Sequence, residues 1–195
     1  MIYCAGKIET FSFAKSIGIG LVNSAICLTR SILYDKPDEI VFVGTCGSYS
    51  TEQPLLEIFE SSSASNIELS FLQGQAYTPL DNFLTNVSHE TILQNFNARI
   101  KNFSKEEKII NSSNYISMDS KLAEKMVNLG ILYENMEFFS VLQVAQSFNL
   151  PSVGIFCSTN YIHKDAQKEF LANHKIAKQK LECYIKDKLN TILGV

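Results

Sequence analysis

Two periods alternate along the chain, one near 2 and one near 3.6 residues. Residues 8–17 alternate and carry Phe11 and Phe13, which predicts a strand. Gly18-Ile19-Gly20 breaks that pattern. Val22, Ala25, Ile26, Thr29, Ile32 and Leu33 then recur at helical spacing and predict a helix over Leu21–Tyr34. Lys36-Pro37-Asp38 stops it, and Glu39–Val43 reads as a short buried strand. Such a strand–helix–strand unit crosses over right-handedly in a parallel sheet. Further on, Leu55–Glu60 and Ile67–Leu72 predict strands, with the polar Ser61–Asn66 as a loop between them and Gln73–Asp81 irregular. Residues 82–103 have a weak period, with a helix or extended piece around His89–Phe96, and Lys105–Lys108 reads as a charged turn. A strand runs from Ile109 toward Ile116. Met118–Leu129 is a helix capped by Ser117 or Asp119 and stopped at Gly130. Ile131–Met136 is a strand, Phe138–Phe148 a helix apolar nearly all round, Ser152–Cys157 a strand, and Asp165–Leu193 a long helix. Strands alternating with helices predict an α/β fold, a three-layer αβα sandwich around a mixed, mostly parallel sheet.

Length and composition narrow the function classes. A chain of 195 residues suits one domain, taken as 1–195, and 46% apolar with 19% charged residues excludes a disordered or collagen-like chain. Lys and Arg number 17 against 20 Asp and Glu, so nothing supplies the basic excess that nucleic-acid binding requires. The five cysteines are odd in number and form no C-x-x-C pair, which argues against a disulfide framework or a structural zinc site and for a reducing, cytoplasmic setting. The N-terminus lacks a signal-peptide core, and the apolar runs are too short to span a membrane.

In open α/β sheets, ligands bind beyond the carboxyl ends of strands. Polar or glycine-rich ends occur at Gly18–Gly20, Gly44–Ser48, Asn111–Tyr115 and Ser158–Asn160, and Met136-Glu137 places an acid between an apolar strand and an apolar helix. A buried carboxylate is costly unless it is paired or bound, although an acid at a helix N-terminus is also an ordinary stabilising arrangement. The Gly18-x-Gly20 turn lacks the third glycine and the downstream acid of a dinucleotide site. Cys46 would need a base to act as a nucleophile, and neither His89, His163 nor His174 is spaced to serve it, so a small buried thiol is expected. His163 and His174 are expected on solvated surface, and no cluster has metal-ligand spacing.

Four segments together resemble the purine nucleoside phosphorylase and nucleosidase superfamily. Ser16–Ala25 (SIGIGLVNSA) resembles its glycine turn and helix, and Lys36–Ser48 resembles its strand ending in G-[ST]-x-G. Glu134–Val141 (ENMEFFSV) resembles its E-x-M-E motif, and Asn149–Asn160 resembles the strand that runs from V-P to S-[DN]. The resemblance implies cleavage of the N-glycosidic bond of a purine nucleoside. It implies that Glu137 binds the ribose hydroxyls, that Met136 packs on the sugar, and that Thr45, Cys46 and Gly47 line the sugar or nucleophile side. Tyr115 would stack on the base, Ile116 would contact it, Gly20 would offer its amide to the substrate, and Asn160 would face N7. Most hydrolases of the family carry Asp where Asn160 stands; Asn recurs in members acting on 6-oxopurines, futalosine hydrolases among them, so a 6-oxopurine is expected. Phe42 and Phe156 stand where many members place arginines, which favours hydrolysis over phosphorolysis, with inorganic phosphate the co-substrate of the latter. No cofactor is implied. A homodimer or larger homo-oligomer is expected, built on the helix after the glycine turn. On this alignment the chain starts at the family's second or third strand and Glu9 does not match the family's water-activating Glu. The expectation is therefore an unfilled nucleophile side and slow or absent catalysis with binding retained. The rivals are a weakly active nucleoside-binding relative and a structural or regulatory subunit of a full-length paralogue; an apolar plug around Glu137 and Asn160 would favour the subunit.

Overall fold

A computed structural model describes residues 1–85 and 108–193, with side chains up to residue 188. The helix or extended piece expected at His89–Phe96 and most of the 105–108 turn lie outside the described residues. The strands are β1 (Ile2–Cys4), β2 (Lys15–Ser16), β3 (Ile40–Ser48), β4 (Ile58–Ser61), β5 (Ser63–Ser65), β6 (Phe83–Thr85), β7 (Ile109–Ser112), β8 (Ile131–Asn135) and β9 (Ser152–Tyr161). The helices are α1 (Leu21–Asp35), α2 (Leu69–Leu72), α3 (Ser120–Asn128), α4 (Phe138–Ser147) and α5 (Ala166–Leu193).

The sheet runs β2-β1-β3-β8-β7-β5-β6, with β9 beside β3 and β4 beside β9. β1 pairs parallel with both β2 and β3, β3 with β9, and β7 with β5 and β8. The β3·β8, β4·β9 and β5·β6 pairs are antiparallel. This is the mixed, mostly parallel sheet the pattern predicts. Alternation along β3 and β9 feeds two cores. Phe42 and Phe156 point into a core with Leu28 and Ile32 of α1 and Phe138, Val141 and Leu142 of α4. Val43, Ile155 and Cys157 point the other way, onto Ala177, Leu181 and Ile185 of α5. Helices therefore cover both faces, giving the three layers.

Turn chemistry fixes where the helices begin and end. Gly20 has φ +84°, a backbone region that glycine occupies without penalty, and it turns the chain into α1. Lys36 closes α1 in the left-handed conformation just before Pro37. Asp119, one of the two expected caps, accepts from the amides of Lys121 and Leu122 at the start of α3.

Four expectations change. The strand expected from Ile109 toward Ile116 stops at Ser112. Residues 8–17 are mostly turns, paired only through the Gly6–Glu9 bridge and at β2, while the strand at this edge is the earlier Ile2–Cys4. The Ser61–Asn66 stretch holds a buried strand, β5, because short hydroxyls are bonded within the sheet; Ser65 Oγ donates to Asn111 Oδ1 at 2.9 Å. Ile67–Leu72 is not a strand: its end forms the one-turn helix α2. Among the described residues no helix is long and apolar enough to cross a membrane.

Candidate active site

The carboxyl ends of β3, β8 and β9 converge on a cavity of about 180 Å³. The turn after β1 closes one side with Gly6, Ile8 and Glu9. The loop after β7 closes another with Tyr115 and Ile116, and the start of α5 adds Gln167 and Phe170. Of the residues singled out in the sequence, Thr45, Cys46, Gly47, Tyr115, Ile116, Met136, Glu137 and Asn160 all line it. Gly20 does not line it: the Gly20 amide is occupied by Glu137, so it stands behind the site rather than facing a substrate.

Glu137 is 5% exposed. Its Oε1 accepts from the Gly20 amide at 3.0 Å, and its Oε2 accepts from Asn135 Nδ2 at 3.3 Å and the Met136 amide at 3.2 Å. The carboxylate thus sits at the N-terminus of α1, where the helix dipole favours negative charge. Burial outweighs these donors and pushes its pKa up to about 7, with the backbone bonds pulling down and the nearby Glu9 charge adding to the rise. Asn114 Oδ1 takes the next α1 amide, that of Leu21, at 2.9 Å. A β-carbon on Gly20 would fall 2.8 Å from that same oxygen. The glycine turn therefore positions both the acid and the loop that leads to Tyr115.

Glu9 corrects the sequence expectation. Its turn is closed by a Gly6–Glu9 bridge directly after β1 and carries the carboxyl into the cavity. Thr45 donates to it from its hydroxyl, and a β-carbon on Gly44 would lie 3.4 Å from Glu9 Oε2. Enclosure raises the Glu9 pKa against the opposing pull of Thr45 and the distant Lys178 charge. A carboxyl that the sequence alignment left unmatched therefore lines the cavity beside Thr45.

Asn160 owes its position to a bulge. Cys46 pairs with Ser158 and Gly47 with Asn160, leaving Thr159 as the extra residue. The Thr159 hydroxyl lies 2.9 Å from Asn160 Oδ1, and Asn160 Nδ2 donates to the Tyr161 carbonyl at 3.2 Å. One N–H of the amide remains for a ligand. Tyr115 and Ile116 form the mouth and are 75% and 56% exposed. Cys46 is buried, as expected, and burial pushes its thiol well above the usual range, which does not suit a nucleophile. Phe42 and Phe156 are fully buried, 5.9 Å apart in the aromatic core, so those positions offer the cavity nothing. His163 and His174 are each half-buried rather than solvated, and His163 Nε2 meets Glu169 Oε1 at 3.0 Å. Among the described residues, no lysine or arginine lines the cavity, and no group of metal-ligating side chains is assembled. A third acid, Glu134, the first residue of the E-x-M-E segment, also lines the cavity.

The cavity combines three largely buried acids with an amide and an aromatic ring. It can hold polar hydroxyls, polarise a water and cradle a flat heterocycle. An apolar plug, which would mark a purely structural subunit, is not what fills this space.

Known proteins are similar to this chain in sequence and in fold. The chain is 23% identical over 154 residues to a DeoD-type purine nucleoside phosphorylase of Latilactobacillus sakei; the match covers 76% of this chain and 63% of that relative. A Helicobacter pylori 5′-methylthioadenosine/S-adenosylhomocysteine nucleosidase variant, solved with 5′-methylthioadenosine in its active site, superposes with a TM-score of 0.76 at 16% identity, covering 97% of each chain. A futalosine hydrolase variant from the same species superposes with a TM-score of 0.76 at 17% identity, again over 97% of both chains. The profile of the phosphorylase superfamily matches residues 3–187, nearly the whole of the cavity-forming chain, and the protein belongs to that superfamily.

Proposed function

We propose that the protein hydrolyses the N-glycosidic bond of a purine nucleoside, with a 6-oxopurine preferred. The observation that carries this reading is the Glu9 carboxyl, enclosed beside Thr45 in the same cavity that Glu137 and Asn160 line. Burial raises the Glu9 pKa above its ordinary value, which makes its carboxylate a stronger base than an exposed one. Water bound at Glu9 gives its proton to that carboxylate as its oxygen bonds to ribose C1′ and the C1′–N9 bond breaks. Glu137 holds the 2′- and 3′-hydroxyls and offsets positive charge on the sugar, with Met136 against the ring. The electron pair leaves with the base, where the free N–H of Asn160 bonds N7 and stabilises the negative charge. An amide cannot deliver a proton, so the departing base takes it from solvent. Tyr115 and Ile116 close over the base.

Hydrolysis is favoured over phosphorolysis because the described cavity wall carries no cation to receive phosphate. No cofactor has a role in this scheme. The exposed apolar residues of α1, among them Val22, Ile26 and Tyr34, support assembly with a second copy. The test is incubation of the purified protein with inosine, adenosine, futalosine and 5′-methylthioadenosine, with and without phosphate, following free base and the sugar product. Free ribose or its 5′-substituted form, at a rate independent of phosphate, is expected. A sugar 1-phosphate would replace hydrolysis by phosphorolysis, and no free base from any substrate would defeat the reading.

A further inference from the structure

The turn into α1 carries a tie that the proposed chemistry does not use. Gly20 opens the helix and has no side chain to cap it, so the first amides of α1 need acceptors from elsewhere. Glu137 takes the Gly20 amide, and Asn114 Oδ1 takes that of Leu21 at 2.9 Å. Asn114 belongs to the loop between β7 and α3. Its neighbours Tyr115 and Ile116 line the cavity, yet both are mostly exposed, so burial does not hold them. Backbone bonds anchor the loop at its two ends. The Ser113 amide donates to the Asn135 carbonyl at 3.3 Å, and the Ser117 amide donates to Glu134 Oε1 at 3.0 Å. Between those ends the Tyr115 amide reaches the Ser113 hydroxyl, within the loop itself, at 3.2 Å. The Asn114 side chain instead ties the middle of the loop to α1, a helix fixed in the core by Leu28 and Ile32.

Resting on the nucleosidase reading above, we propose that Asn114 is a positioning residue, which holds Tyr115 and Ile116 in place for the purine base by capping α1. A loop released from α1 samples other conformations. Apparent affinity then falls in proportion to the fraction of molecules that keep the competent one. Contact between the mouth and the base is made alike before and during bond cleavage, so loosening it raises KM and leaves kcat. The bond needs glycine at the turn, since a β-carbon on Gly20 would fall 2.8 Å from Asn114 Oδ1. It also needs an acceptor in the loop, and a negative charge there would suit the helix start equally well.

Steady-state kinetics of Asn114→Ala test this, on whichever of inosine, adenosine, futalosine and 5′-methylthioadenosine the wild type cleaves fastest. KM should rise by roughly threefold to tenfold, the scale of one hydrogen bond, with kcat within about twofold of wild type. Asn114→Asp keeps the acceptor and should restore the wild-type KM. In a background carrying Tyr115→Ala and Ile116→Ala, the loop has little left to hold, so Asn114→Ala should add almost nothing. A merely structural tie would impose the same penalty in both backgrounds. Asn114 is exposed, so a thermal melt of Asn114→Ala should stay close to wild type. An unchanged KM, an equal penalty in the truncated background, no recovery in Asn114→Asp, or a collapse of the thermal midpoint overturns the role of Asn114 even where nucleosides are cleaved. Failure of the wild type to cleave any of the four nucleosides removes the nucleosidase reading itself, and this inference with it.

Discussion

β3 and β9 lie side by side along their whole length, yet the two halves of the pair are made of opposite materials. In the half from Ile40 to Gly44 and Ser152 to Phe156, the inward side chains include Phe42 and Phe156, which pack with Phe59, Phe138 and Tyr133. In the other half, Thr45, Ser48, Ser158, Thr159 and Asn160 are as enclosed as the aromatics. Each of them is bonded: Ser48 to the Ser50 carbonyl, Ser158 to the Pro54 carbonyl, Thr45 to Glu9. Burial alone thus does not distinguish core from site. What distinguishes them is whether the buried groups still have hydrogen-bonding capacity to offer. The aromatic half has none, whereas Asn160 and the acids around it do. One strand pair therefore divides stability from chemistry along its length, with the Thr159 bulge near the boundary.

The sharpest way to break that division is at Glu9. Glu9→Gln should lower kcat by roughly 10²–10⁴-fold, the range for losing a general base, while leaving the thermal midpoint nearly unchanged. Steady-state kinetics beside a thermal melt would read this, and a large loss of stability would show that the site also carries the fold. The complementary change is Phe156→Ala. It should destabilise by about 3–5 kcal/mol in denaturant titration, as large aromatic truncations do. Glu137→Ala should weaken nucleoside binding by about 1.5–3 kcal/mol in calorimetry, with the fold retained. Unchanged affinity would exclude Glu137 as the sugar ligand. Asn160→Asp sharpens the contrast most finely. An acid there can protonate N7, so turnover should shift toward adenosine by about tenfold relative to inosine. Equal ratios in the two proteins would remove Asn160 from base selection.

The apolar half was easier to read in the sequence than the polar half. α1, α3, α4 and α5 follow their apolar spacing and caps, and the interiors of β3 and β9 follow their apolar runs. Both strands nevertheless extend past the points where those runs stop, to Ser48 and Tyr161, because buried hydroxyls and amides can pair within a sheet and leave no apolar signature. The same physics hid β5 inside a run of serines. The motif residues of the site were legible through their resemblance to a family. Glu9 was not, because its value arises only when the Gly6–Glu9 turn swings it over Gly44 and Thr45. Alternating aromatics at Phe11 and Phe13 suggested a continuous strand; instead the two rings stack, 5.3 Å apart, within the turn region. Glu134 lay in plain view within its motif, but only the fold brings it beside Gly47 and Asn160.

The contact between Gly20 and Glu137 has a consequence for proton accounting. Burial pushes this carboxyl up to a pKa of about 7, so at neutral pH it is shared between its charged and uncharged forms. A ribose whose hydroxyls donate to it favours the charged form alone. Filling the site at pH 7 should then expel up to about half a proton per molecule into the medium. The heat of nucleoside binding would therefore vary with the ionisation enthalpy of the buffer, and affinity would rise with pH through this range before levelling off above it. On the proposed reading, the helix start that holds the acid links occupancy of the cavity to the acidity of its surroundings.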